Sequence, residues 1–248
     1  MSQRLGRLLV TISVDAPLDQ DANTIAAAGF VRDELRSRRI SATWAVNEPA
    51  AWPPTAELQA TGNEIAIAAD ASWSGLTRAA LSRELAGKMN RAQAGGLAVS
   101  TLVAPAETAR AIGDLLARHA IRTVRDAGSQ LKANASSQPR AVQSGLWLFP
   151  LSLVAPRTGR WWSAGPLRRL RSILDTRSGE RGAVQVAIDL QRVASQGRAG
   201  QRNVVRVLDE LESRRTRGEV DVVTLCAATE RLAARYQGQP SRSILRAA

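Results

Sequence analysis

Among 248 residues there are one cysteine, one histidine, one tyrosine and two phenylalanines. The lone Cys226 excludes an intramolecular disulfide and a thiolate metal cluster; within "VDVVTLCAA" it reads as a small buried apolar residue. The lone His119 excludes a metal site built on two histidines of this chain. Lysine occurs only at Lys88 and Lys132, so the net charge of +12 is almost wholly arginine. No apolar run is long enough to span a bilayer, which argues against an integral membrane protein. The basic and apolar start "MSQRLGRLLVTISVD" is short, β-branched and ended by Asp15 without a small-residue cleavage site. It reads as a buried first strand rather than a signal peptide, and the expected location is cytoplasmic.

The arginines cluster in "RDELRSRRI", "GPLRRLRSIL" and "LESRRTRGE", where they alternate with apolar residues and acids. That pattern is a solvated helix face, and nucleic acid is not expected as a partner because no aromatic-basic pattern of an RNA-binding sheet accompanies it.

Strand and helix patterns alternate along the chain. Strands are expected at 7–14, 40–46, after Gly62, at 98–105, 121–126, 145–156, 183–190 and 220–225. Helices are expected at 21–38, 76–96, 107–120, 166–177, 201–218 and 228–236, with a short one before Gly62. Asp19 or Asp21 is placed to cap the first. Residues 127–140 are rich in Gly, Ser, Asn and Gln and read as an exposed loop. Such repetition implies parallel pairing through right-handed crossovers. The expected fold is α/β, a single distorted (β/α) barrel of about seven parallel strands. One domain is expected over 1–238, with 239–248 a polar C-terminal tail.

The order and wording of these units resemble the polysaccharide deacetylase (NodB-homology) family, which has a distorted (β/α) barrel. "TISVDAP" stands in place of its T-F-D-D-G, "ISATWAV" in place of its A-T-F-F strand, and "GNEIAIAADASW" in place of G-H-E-I-x-x-H-x-x-x-H. "LVAPAE" stands where the family has an Arg-Pro turn, "GLWLFPLSL" resembles its later Pro-ended strand, and "VQVAIDL" its strand ending in His-Asp. "VLDELESRRTRGEVDVVTL" resembles its final helix and strand, so the likeness covers residues 8–235. The resemblance implies a divalent metal, usually zinc, held by one Asp and two His. The metal activates water for attack on the amide of an N-acetyl sugar, beside an Asp base and a His acid. Carried over residue by residue, the base falls on Asp15 and the metal aspartate on Ala16. The metal histidines fall on Ala68 and Ser72, and the acid histidine on Ile188 beside a retained Asp189. The turn arginine falls on Val103. A zinc site is therefore not expected, nor any other cofactor.

Asp15, Glu48, Asp70, Glu107, Asp126 and Asp189 all follow predicted strands, on the face where a barrel keeps its site. Each has two readings, as a helix cap or as a ligand contact. Capping is the expectation for Asp70 and Glu107, while both readings stay open for Asp15 and Asp189. Of the six tryptophans, Trp44 and Trp147 read as strand core, and Trp52, Trp73 and the Trp161–Trp162 pair as loop residues. Trp73 either stacks on a sugar or fills core. His119, at a helix C-terminus, caps that end of the helix, remote from the strand C-termini.

These readings leave three functions open. The first is a degenerate deacetylase-like domain binding a carbohydrate or a cell-envelope-related ligand. The second is an amide hydrolase working through a non-standard acidic site. The third is a basic scaffold for an anionic partner.

Overall fold

The computed structural model describes residues 7–17, 21–52, 54–127, 138–142, 145–156, 165–178 and 182–237. Trp161, Trp162, Asp19 and most of the 127–140 segment lie outside them. The chain opens with β1 (Leu8–Asp15), α1 (Ala22–Ser37), β2 (Thr43–Val46), α2 (Thr55–Ala60), β3 (Glu64–Ala68) and α3 (Arg78–Ala94). It continues with β4 (Val99–Ala104), α4 (Ala106–Ala111), α5 (Gly113–Arg118), β5 (Thr123–Asp126), β6 (Arg140–Ala141), β7 (Trp147–Phe149) and β8 (Leu153–Ala155). It ends with α6 (Pro166–Thr176), β9 (Ala183–Asp189), α7 (Leu190–Gln196), α8 (Arg198–Thr216), β10 (Val220–Val223) and α9 (Leu225–Gln237).

These strands form one ten-stranded sheet, running β6-β7-β5-β4-β3-β2-β1-β9-β8, with β10 added beside β1. All pairings are parallel except β6 with β7. Among the described residues β7 and β8 do not pair, although only residues 150–152 separate them. The sheet therefore curls into a barrel with an open seam, and β6 takes the free edge of β7 there. Both edges of β1 are in use: β9 pairs with Leu9–Asp15 on one side, while β10 pairs with Leu8–Thr11 and β2 with Ser13–Asp15 on the other.

Alternation sets two layers. Leu8, Val10, Ile12 and Val14 of β1 join Trp44, Ile65, Ile67, Leu102 and Val186 in the main core under the helices. The intervening positions face inward and are unusually polar. There Thr11 donates to Gln185 Oε1, and Gln185 Nε2 donates to Ser13 Oγ at 3.0 Å. At the N-terminal end of the strands Leu9, Trp147, Phe149 and Ala183 pack against Leu225, Ala228 and Leu232, so α9 closes that end.

Three of the departures from the sequence pattern have a local cause. The strand expected over 145–156 divides into β7 and β8 around Pro150, which has no N–H to give a ladder. The helix expected over 107–120 divides at Ile112–Gly113 into α4 and α5. The helix α7, not anticipated, starts directly from β9 because Asp189 caps it, accepting from the Arg192 N–H at 3.1 Å. Gly197 then turns the chain into α8 with φ 52° and ψ −131°, a conformation that other residues avoid. Asp21 caps α1, accepting from the Thr24 N–H at 2.7 Å. His119 follows the end of α5, as its position in the sequence implied. Among the described residues no helix is long and apolar enough to cross a membrane.

Candidate functional site

The C-terminal ends of the strands bring Asp15 and Asp189 together. They are register partners on the neighbouring strands β1 and β9. From the far side of the barrel Arg125, the third residue of β5, donates through Nη2 to Asp15 Oδ2 at 2.8 Å. Small side chains allow it to cross: the inward positions of β2, β3 and β4 toward their C-terminal ends are Ala45, Ala66, Ala68 and Val103, which form an apolar wall of their own. Asp189 in turn pairs with Arg192 at 2.9 Å.

Arg125 is 3% exposed, whereas a third of the Asp15 side chain remains open. Asp15 Oδ1 and Arg125 Nε are buried and have no hydrogen-bond partner. Burial pushes the Asp15 carboxyl above its ordinary value; the Arg125 guanidinium opposes that rise and the neighbouring Asp189 adds to it. The site is thus a buried guanidinium held against a carboxylate that is itself partly open.

The other expected site residues have different partners. Glu48 turns to α3, accepting from Arg91 at 3.1 and 2.8 Å and lying 3.8 Å from Lys88. Asp70 caps the short turn that follows β3, accepting from the Ser72 N–H at 2.8 Å and from its hydroxyl, and these bonds hold its carboxyl below the ordinary value. Asp126 accepts from the Ala106 N–H at 3.1 Å, at the start of α4. Glu107 stands in the first turn of the same helix. Trp73 is 1% exposed and sits in the main core, so it presents no open ring face to a sugar. Trp52, also buried, packs on Trp44 with ring centroids 5.4 Å apart.

The residues present do not fit the zinc that the resemblance implies. Ala16 and Ala68 have no donor side chain, the Ser72 hydroxyl is engaged by Asp70, and Asp15 already has a guanidinium at 2.8 Å, whose charge opposes a dication. Among the described residues no three His, Cys, Asp or Glu side chains group so as to hold a metal ion.

Sequence reasoning missed Arg125. Its signal was there: in "IRTVRD" alternation places it on the same inward face as Thr123, and a charge on such a face needs a partner. The resemblance puts an arginine at Val103, and Arg125 stands directly opposite Val103 in the β4–β5 ladder. A second missed acid, Glu64, lies at the other end of the barrel. It accepts from Thr43 Oγ1 at 2.7 Å, from the Thr101 hydroxyl and from the Cys226 N–H at 3.0 Å.

The architecture is that of the polysaccharide deacetylases, a distorted parallel barrel with its candidate site at the strand C-termini. A proposed polysaccharide deacetylase from Mycobacterium smegmatis superimposes with a TM-score of 0.69 at 14% identity, over 93% of this chain and 91% of that one. A proposed hydrolase from Bacteroides thetaiotaomicron gives 0.62 at 16% identity, over 94% of this chain but 46% of that one. A family 4 acetyl xylan esterase from Clostridium thermocellum, solved with a cobalt ion, gives 0.51 at 15% identity, over 91% and 92%. No protein-family model and no curated protein matches the sequence.

Proposed function

We propose that this chain is a polysaccharide-deacetylase-like protein that binds a carbohydrate or a cell-envelope-related glycan at the strand C-termini without zinc-dependent deacetylation. One observation carries the reading. The cation beside Asp15 is the Arg125 guanidinium, while the positions that the resemblance assigns to metal ligands are Ala16, Ala68 and Ser72. Asp15, a third of whose side chain is open at the strand C-termini, accepts a sugar hydroxyl or an amide N–H, and the buried Arg125 holds it in place. Such a hydrogen bond is one that a neutral glycan makes.

The test is isothermal titration with N-acetylglucosamine oligomers, beside a deacetylation assay with zinc, manganese or chelator. Saturable binding that weakens in both Asp15→Asn and Arg125→Met, with no turnover in any condition, is the expected result. Turnover that needs metal and Asp15 overturns it.

The pairing of Asp15 with Asp189 favours a second reading, amide hydrolysis by two carboxylates. One of them is pushed toward its neutral, proton-donating form by burial. Turnover that needs Asp15 and Asp189 but survives chelator supports this reading over the first.

A further inference from the structure

Behind β2, on the outside of the barrel, α1 and α2 stand apart and leave two cavities that share Arg32, Trp44 and Leu58 as walls. One, of about 300 Å³, is lined otherwise by Ile25, Ala28, Gly29, Trp52 and Pro54. The other, of about 440 Å³, lies along Arg36, Arg39, Ser41, Glu57 and Asn63. Both volumes fall in the range of small-molecule sites, ~300–1,000 Å³. The groove is therefore apolar at one end and basic at the other.

Three details show a groove rather than loose packing. Its apolar end is backed by a packed pair: Trp44 and Trp52 are 1% and 4% exposed and lie against each other, and Trp44 Nε1 donates to Asn63 Oδ1 at 3.4 Å. Gly29 sits in the middle of α1, where glycine disfavours the helix relative to alanine. Yet no heavy atom lies within 4 Å of where its Cβ would stand, so no close neighbour requires a glycine there. Its effect is to keep the apolar end open. At the rim Ile25 is 55% exposed, a large apolar side chain left uncovered at the entrance.

The charge is one-sided. Arg32, Arg36 and Arg39 line the groove, and the one acid among its lining residues is Glu57, 3.6 Å from Arg32. Arg32 is also held by Asp33 at 3.1 Å, whereas among the described residues neither Arg36 nor Arg39 has an ion-pair partner. A guanidinium pair next to an apolar slot matches a planar anion on an apolar body. We propose that this groove binds a small amphiphilic carboxylate, its apolar part along Ile25, Gly29 and Pro54 and its carboxylate at Arg36 and Arg39. This site is separate from the barrel mouth and does not depend on the function proposed there.

The experiment is titration of the full chain with decanoate, below its aggregation threshold, followed by calorimetry and by tryptophan fluorescence. Decanol and decylamine serve as neutral and cationic comparators. One decanoate per chain is expected, bound about tenfold or more tighter than either comparator, as a carboxylate–guanidinium contact implies. Gly29→Leu fills the apolar end while favouring the helix, and abolishes binding with the circular dichroism spectrum unchanged. The Arg36→Glu/Arg39→Glu double variant, altered only at exposed positions, weakens decanoate about tenfold or more and leaves decanol unaffected. Absence of saturable binding, equal affinity for decanol, or full binding by Gly29→Leu overturns the proposal.

Discussion

A guanidinium that crosses a barrel to reach a carboxylate does so at a cost in desolvation that only its partner offsets. For Arg125 the partner is Asp15, and the two are 110 positions apart in the chain. Removing the arginine leaves Asp15 facing Asp189 without compensation. Arg125→Ala is expected to destabilise the protein by about 3 kcal/mol in urea unfolding, the low end for a broken buried pair because Asp15 is partly solvated. Adding Asp15→Asn to that variant removes the stranded charge and recovers part of the loss. A double variant no more stable than Arg125→Ala alone contradicts this account of the pair.

At the scale of elements, the join between β3 and α9 rests on one buried acid. The Leu225 N–H at the start of α9 donates to Thr43 Oγ1 at 3.0 Å, that hydroxyl donates to Glu64, and the Cys226 N–H donates to Glu64 directly. Burial pushes the Glu64 carboxyl above its ordinary 4.5, and the hydrogen bonds only partly oppose it. For an acid whose value is raised on folding, the associated stability is complete below 4.5 and is lost as pH rises through the folded-state value. Glu64→Gln keeps an acceptor for the helix and abolishes the titration. Its stability relative to the native protein should therefore improve as pH rises from about 4 to about 7, read as the difference in urea midpoints. A difference that is flat with pH, or that runs the other way, refutes the assignment.

Across the whole molecule, the barrel is held shut at the bottom by apolar contact and left polar inside. Leu225, fully buried, packs with Leu9, Phe149 and Ala183, which come from three different strands. Leu225→Ala removes contacts with all of them at once, and a loss of about 2–5 kcal/mol is expected by chemical denaturation. A loss well under 1 kcal/mol means that α9 does not close the barrel. The arginine excess is likewise organised at this scale. Arg214, 9% exposed, ties α8 to α6 through Asp175 at 2.6 Å and to Glu219 ahead of β10 at 3.3 Å, besides Glu210 on its own helix at 2.8 Å. Much of what reads in the sequence as a solvated basic face is therefore interhelical cross-linking.

What the sequence determined by itself is local or compositional. Alternation placed β1, β4 and β9, an aspartate marked the start of α1, and Ala16, Ala68 and Ser72 were legible as residues that supply neither imidazole nor carboxylate. Tertiary structure alone decided which charges meet. That β10 inserts beside the lower half of β1, that Arg125 rather than a residue of β4 reaches Asp15, and that Trp73 points into core follow from strand order and from the small volumes of Ala45, Ala66 and Val103. Those are contacts between residues distant in the chain, and their free energy depends on which surfaces are buried together, which no local pattern encodes.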